Sequence, residues 1–303
     1  MPPSPPRDRS RPVGAVRARD AQVNRNRLIA LCALDALEAN GGRGVIVTDS
    51  VTSKGMPAYI QRLGGAHDRF KMGYRNVIDR AAETMPEPAL LAIETSGHSA
   101  WRDNQFVDDG CYTAARLLGR LARERRAARD PTVGLLQMLG GALEEPVESI
   151  KVKMTVAGGL GDVPAAEGAL CEALRLTADG TAGWQIEPIN HDGLRCAVGT
   201  DGWLIIRGSL HEPSVSVQTE SDVAGGTAAI CAKLLEFVQA DGGCERAGID
   251  LAPLTKVAGA APPPAPPPAD VGRVVPAPQS PQQASVTEPG FGWAMDAGRP
   301  YKY

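Results

Sequence analysis

The 303-residue sequence predicts an α/β protein: an α/β/α sandwich domain followed by a small α+β domain, with disordered, proline-rich termini. Three observations carry this. Sixteen of the 25 prolines lie before residue 13 or after residue 260, so neither end has the composition of a packed core. From about 22 to 135, helical apolar spacing alternates with short apolar runs, the pattern of helices covering a mainly parallel sheet. From about 148 the period changes to two, as in half-exposed antiparallel strands. The expected boundaries are 1–21 for a disordered segment, 22–135 and 146–250 for the two domains, and 256–303 for a proline-rich tail.

Apolar residues at helical spacing run from Arg27 to Ala39, and Asn40-Gly41-Gly42 ends that helix. Val45-Ile46-Val47 reads as a buried strand, followed by the polar loop Thr48 to Ser53. A second helix covers Met56 to Leu63 and stops at Gly64-Gly65. A loop around Arg69 to Tyr74 leads into a helix from Asn76 to Glu83. Ala89 to Ile93 is a second buried strand. A long helix follows from about 109 to 129, with Leu117, Leu118 and Leu121 as its buried stripe. Gly140-Gly141 and Pro146 mark the linker over 134–146 as a hinge.

In the second domain, Ile150 to Met154 alternates as a strand and Pro164 to Thr177 is an amphipathic helix. Leu194 to Val198, Trp203 to Ile206 and Val215 to Gln218 read as consecutive antiparallel strands, with Asp201-Gly202 as a hairpin signal. Thr227 to Val238 is the last helix and ends near Asp241-Gly242-Gly243.

Composition excludes several classes. The net charge of −3 gives no field favouring nucleic acid. Residues 1–27 carry seven Arg against two Asp, which loosely resembles an organelle transit segment and equally fits plain disorder. Arg116, Arg120, Arg123, Arg125, Arg126 and Arg129 have no interleaved aromatics, so they read as a solvated helix face rather than an RNA surface. No apolar stretch approaches the length of a membrane span, and the N-terminus lacks the apolar core of a secretory signal. The expected location is intracellular, in cytoplasm or plastid. Cys32, Cys111, Cys171, Cys196, Cys231 and Cys244 form no C-x-x-C pair, as expected of idle thiols in a reducing compartment. The run Pro262 to Pro268 lacks a close basic residue and reads as low-complexity filler, not a docking peptide.

Two loops carry the chemistry. Glu94-Thr95-Ser96-Gly97-His98 follows a buried strand, at the end of the sheet where α/β folds present ligand-binding groups. A carboxylate accepts from hydroxyls, a serine donates or accepts, and a glycine lets backbone approach a ligand, a set that suits a sugar. Arg207-Gly208-Ser209-Leu210-His211-Glu212-Pro213 combines a guanidinium, a hydroxyl and an imidazole in a turn, a set that suits a phosphate.

With residues 24–30, 47–53 and 69–78, these loops resemble, in order, the C-terminal half of the α-D-phosphohexomutase superfamily of phosphoglucomutases and phosphomannomutases. The resemblance covers roughly 22–250. Glu94 to His98 is similar to that family's sugar loop G-E-x-S-G-H, with Ile93 in place of the leading glycine. Arg207 to Pro213 is similar to its phosphate loop R-x-S-x-x-E/D-P, with His211 where threonine is commoner. The resemblance implies family domains III and IV and a hexose phosphate ligand. It implies that Glu94 and Ser96 hold two sugar hydroxyls and that Lys71 contacts the substrate. Arg207 and Ser209 would bind the phosphate that is not transferred, and His211 would add a donor. His98 would be an orienting donor or an acid–base group.

The family has four domains, and a phosphoserine loop of T-A-S-H-N-P type and a D-x-D-x-D-R loop for Mg²⁺ come from the first two. Neither pattern occurs in these 303 residues. The expectation is therefore a substrate-recognition half, inactive alone, with no catalytic residue except the candidate His98. It has no cofactor of its own, and Mg²⁺ enters only if a missing N-terminal half supplies the metal loop. Asp8-Arg9-Ser10 resembles the end of that loop, with Pro6 and Ser4 at the carboxylate positions. The alternative is a non-catalytic sugar-phosphate-binding module or degenerate paralogue.

Overall fold

A computed structural model describes residues 23–260. The expected disordered N-terminal segment, Asp8-Arg9-Ser10 and the proline run at 262–268 lie outside the described residues.

Alternation of side chains along short strands builds the first lobe. Strands β1 (Val45–Thr48), β2 (Ala66–Arg69), β3 (Leu91–Ile93) and β4 (Ser99–Trp101) form a sheet in the order β2-β1-β3-β4. The first three are parallel and β4 is antiparallel. Ile46, Leu91, Ile93 and Trp101 point to one side, into a core with α1 (Arg25–Ala39), α2 (Gly55–Arg62) and α4 (Gly110–Ala128). Val47, Ala92 and Ala100 point to the other, against Val77 and Ala81 of α3 (Tyr74–Ala82). The period of two thus loads both faces of the sheet and produces the α/β/α sandwich. Asn24 and Asp109 fix two helix starts by accepting the amides of Arg27 and Tyr112.

The second lobe is a five-stranded antiparallel sheet in the order β5-β9-β8-β7-β6. The strands are β5 (Glu148–Thr155), β6 (Trp184–Ile186), β7 (Leu194–Val198), β8 (Gly202–Gly208) and β9 (Ser214–Ser221). Val152, Met154, Leu204, Ile206, Val215 and Val217 bury one face against α5 (Val163–Gly180), α6 (Gly226–Asp241), α7 (Gly243–Arg246) and α8 (Ala252–Ala258). On the opposite face Trp203 and Ile205 meet Val51 and Met72 of the first lobe, so the two lobes share a small apolar contact.

Several expectations are corrected. β2 was not expected and shares only Arg69 with the expected loop from Arg69 to Tyr74, and β4 and β6 are two further strands, of three residues each, too short to show a pattern. Leu118 is 62% exposed and leaves the buried stripe of α4, which consists of Thr113, Leu117 and Arg120. The arginine-rich face is not simply solvated. Arg116, Arg120 and Arg123 converge on the buried Asp35 of α1 at 2.8, 3.8 and 3.1 Å, and Arg116 stacks 4.3 Å from the Trp101 ring. A buried carboxylate requires such counter-charge. In the linker, Leu139 and Leu143 are buried in the first core, which leaves less of the expected hinge unpacked. Helix α8 runs to Ala258, past the expected tail boundary at 256. Among the described residues no helix is long and apolar enough to cross a membrane.

Candidate functional site

The parallel pairing of β1 with β3 puts Thr48 beside Ile93, so the loops that follow both strands emerge together. Asp49, fully buried, uses this proximity: its Oδ2 accepts the Thr95 amide at 2.8 Å and the Thr95 hydroxyl at 2.6 Å, and its Oδ1 accepts the Thr52 hydroxyl at 3.0 Å. Glu94 is thereby held at the strand end. Its Oε1 accepts the Gly73 amide at 2.6 Å and its Oε2 the Ser96 hydroxyl at 3.1 Å. Burial pushes the Glu94 carboxyl above its ordinary range; Asp49 adds to this, while the Gly73 amide, Ser96 and His98 oppose it.

Gly73 sits at φ +117°, and a Cβ there would meet Asn76 Nδ2 at 2.7 Å; only glycine turns the chain this way and aims its N–H at Glu94. The next residue, Tyr74, stacks on His98 with ring centroids 5.1 Å apart. Nδ1 of His98 lies 2.6 Å from Asp108 Oδ2. An ionised carboxylate only accepts, so it fixes the proton on Nδ1 and presents Nε2 outward. Lys71 is exposed, with its ammonium 5.8 Å from the Phe70 ring centroid.

In the second lobe, Arg207 is the penultimate residue of β8. Its Nη1 donates to Asp192 Oδ2 at 3.0 Å. The same Oδ2 accepts the Ser50 hydroxyl at 2.9 Å and the Met72 amide at 3.2 Å, both from the first lobe. Adjacent amides of one loop, Met72 and Gly73, are thus divided between Asp192 and Glu94. Ser209 Oγ accepts the amides of His211 and Glu212 at 3.3 and 3.1 Å, closing the loop tip on itself. Glu212 pairs with Lys153, and Leu210 and His211 are exposed.

A deeper contact supports the arrangement. Arg195 of β7 is 2% exposed and donates to Glu187, to the carbonyl of Ser50 and to the carbonyl of Thr52, at 2.8, 2.9 and 3.4 Å. Its guanidinium lies 3.5 Å from the Trp203 ring. Burial, with Arg69 nearby, lowers its pKa to about 10. Arg69 in turn reaches Glu187 at 2.9 Å.

Glu94, Ser96 and His98 therefore share one loop, Lys71 lies on the adjoining one, Arg207 is joined to the Lys71 loop through Asp192, and that loop is joined to Glu94 by the Gly73 amide. Ser209 and His211 lie farther out on the exposed tip. Sequence reasoning missed Asp49, Asp108, Asp192 and Arg195. The one sequence signal was Asp192-Gly193 before a strand: Gly193 has φ +65°, and a Cβ there would strike the Ile206 carbonyl at 1.9 Å. A groove of about 710 Å³ opens elsewhere, between β5 and α8, and includes none of these loop residues. Among the described residues no group of three or more His, Cys, Asp or Glu is placed to hold a metal ion.

Residues 24–135 match the family model for phosphoglucomutase/phosphomannomutase, alpha/beta/alpha domain III. The chain is 35% identical over 141 residues to a phosphomannomutase/phosphoglucomutase from Pseudomonas syringae pv. tomato, covering 46% of this chain and 29% of that protein. It is 28% identical over 211 residues to a phosphomannomutase/phosphoglucomutase of Pseudomonas aeruginosa, covering 69% of this chain and 41% of that one. Among solved structures, a phosphoglucomutase/phosphomannomutase family protein from Burkholderia thailandensis superposes with a TM-score of 0.58 at 27% identity, over 73% of this chain and 43% of that one. The chain spans less than half the length of these relatives.

Proposed function

We propose that the chain, whose residues 24–135 match a phosphoglucomutase/phosphomannomutase domain III, is a member of the α-D-phosphohexomutase superfamily and binds a hexose phosphate, the sugar ring at Glu94 and Ser96 and the phosphate at Arg207 and Ser209. The observation that carries this reading is the short run of contacts between the two grips. Glu94 accepts Gly73 N at 2.6 Å, and Asp192 accepts the neighbouring Met72 N at 3.2 Å and Arg207 Nη1 at 3.0 Å. A carboxylate at the ring and a guanidinium at the anion are the two groups such a ligand requires, and here they are linked through the Met72 and Gly73 amides and Asp192.

On this reading Glu94 exchanges its bond from the Gly73 amide or from Ser96 for bonds from two ring hydroxyls. Arg207 offers a planar fork to the phosphate, and His211 and the Ser209 hydroxyl add donors at the rim. Lys71 contacts the bound ligand from the loop that ends at Gly73. His98, with its proton held on Nδ1 by Asp108, orients a hydroxyl or accepts its proton at Nε2. Phosphoryl transfer requires an activated phosphate carrier and charge neutralisation. The sequence holds neither a T-A-S-H-N-P loop nor a D-x-D-x-D cluster, so the chain is proposed to recognise the substrate without turning it over by itself. The test is calorimetric titration of the 303-residue chain with glucose 1-phosphate, glucose 6-phosphate and the 1,6-bisphosphate, alongside a mutase assay. Binding without turnover is expected. Absence of heat at millimolar ligand overturns the binding reading, and robust mutase activity overturns the division of labour.

A further inference from the structure

Asp192 occupies a position that neither ligand loop explains. It lies in the connection before β7, yet one of its oxygens, Oδ2, accepts three donors from three separate segments: the Ser50 hydroxyl, the Met72 amide and Arg207 Nη1. Gly193 makes this possible, because only a residue without a Cβ passes the Ile206 carbonyl there and turns the Asp192 carboxylate toward Arg207. The Met72 amide is next in the chain to the Gly73 amide, which Glu94 binds. A displacement of Asp192 is therefore transmitted to the backbone that holds Glu94, and to the guanidinium that holds the phosphate.

We propose that Asp192 is a positioning residue that couples the phosphate grip to the sugar grip across the lobe contact. It holds Arg207 by a single nitrogen, which fixes a long, rotamer-rich side chain and leaves the rest of its five-donor fork for an anion. Through Met72 it sets where the Gly73 amide, and hence Glu94, rests. Phosphate arriving at Arg207 competes for the guanidinium and shifts the Asp192 carboxylate, and the loop from Arg69 to Gly73 registers the change. Coupling of this kind is reciprocal, so ring contacts at Glu94 strengthen the phosphate contact by the same factor. The identity of the anion rests on the sugar-phosphate reading above; the mechanical link rests on the distances alone.

Amide hydrogen exchange over residues 69–76 in the full chain tests this, with and without glucose 1-phosphate or inorganic phosphate. Without ligand, Asp192→Ala and Arg207→Met each speed exchange at Met72 and Gly73 while α1 stays protected, which a general loss of stability would not allow. Asp192→Asn, which keeps an acceptor in place, restores most of that protection. Glucose 1-phosphate and inorganic phosphate both speed exchange at Gly73 in the wild type, because phosphate draws Arg207 off Asp192, and do so in neither Asp192→Ala nor Arg207→Met. Affinity for glucose 1-phosphate falls about tenfold in Asp192→Ala. Unchanged exchange at Met72 in ligand-free Asp192→Ala, or an intact response of Gly73 to phosphate in that variant, overturns the coupling. If the wild type binds no sugar phosphate, the function proposed above falls, and the ligand-free comparison of Asp192→Ala with Arg207→Met still decides the link.

Discussion

Both oxygens of Glu94, in a residue only 5% exposed, are occupied, and the chain around it is gripped by Asp49, Gly73 and Asp108 from three other segments. The loop after Arg207 carries Leu210 at 82% exposure and is closed chiefly by its own Ser209. The difference follows from topology. In a parallel sheet the loops after successive strands emerge at one edge and brace one another. Among the described residues, the hairpin loop between β8 and β9 has, beyond its two strands, only the Lys153–Glu212 pair and the Val156 amide on the Pro213 carbonyl for support. The Glu94 side should therefore be rigid and sensitive to single substitutions, and the Arg207 side adaptable and tolerant.

The strongest way to break that comparison is Asp49→Ala. Its carboxylate is fully buried and accepts charge-assisted bonds from the Thr95 amide, the Thr95 hydroxyl and the Thr52 hydroxyl. Leaving those donors unpaired should cost about 3–5 kcal/mol, read from urea unfolding. A loss no larger than that of a phosphate-loop substitution would remove the contrast.

Next in size is an acid effect on the same side. His67 Nε2 lies 2.7 Å from the Thr48 hydroxyl, one residue before Asp49. Burial, then Arg69 and Arg195, push the His67 pKa from 6.5 down to about 3. Below pH 6.5 the unfolded chain takes a proton that the folded chain refuses, so stability falls as pH falls from 6.5 toward 3. One such group accounts for about 2 kcal/mol between pH 6.5 and 5. His67→Gln should flatten the stability profile over that interval. An unchanged slope would show that the histidine is not held neutral.

The α/β alternation was legible because Val45-Ile46-Val47 and Leu90-Leu91-Ala92-Ile93 are apolar runs that only a buried strand explains. β2 was not, since His67, Asp68 and Arg69 carry its edge position with polar groups and no alternation. The loop from Asp49 to Ser53 reads as polar surface but is buried. Asp49 and Ser50 find their partners in Thr95, Asp192 and Arg195, between 46 and 145 residues away, and no local pattern encodes such partners. Arg195 misleads in the same way, as a charge inside an apolar strand whose compensation comes from Glu187, two backbone carbonyls and an indole face. The two loops themselves were legible as motifs. The carboxylates that position them were not, because they act through folded proximity.

Glu94→Gln sharpens the comparison by separating stability from binding. The carboxyl's raised pKa means that the folded state resists its ionisation, so the wild type loses stability as pH rises from the ordinary carboxyl range through the shifted value. Glutamine keeps an acceptor for the Gly73 amide and removes the charge. The variant should be more stable than wild type at pH 7, with the gain vanishing in acid, and lose about tenfold in glucose 1-phosphate affinity. Equal stability of the two proteins across pH would contradict the strained carboxylate.

The smallest stability effect belongs to Ser209→Ala. The hydroxyl accepts two amides, from His211 and Glu212, but in an exposed turn where water replaces it readily. The expected loss is about 0.5 kcal/mol by thermal or urea unfolding. Affinity for a phosphorylated sugar should nonetheless fall about fivefold, because the hydroxyl and the turn it shapes are proposed to face the anion. Asp49→Ala and Ser209→Ala thus predict opposite signatures, one read mainly in unfolding and the other mainly in binding. If Ser209→Ala instead destabilised the chain by several kcal/mol with affinity unchanged, the hairpin tip would be a structural brace, and the contrast between the two loops would be reversed.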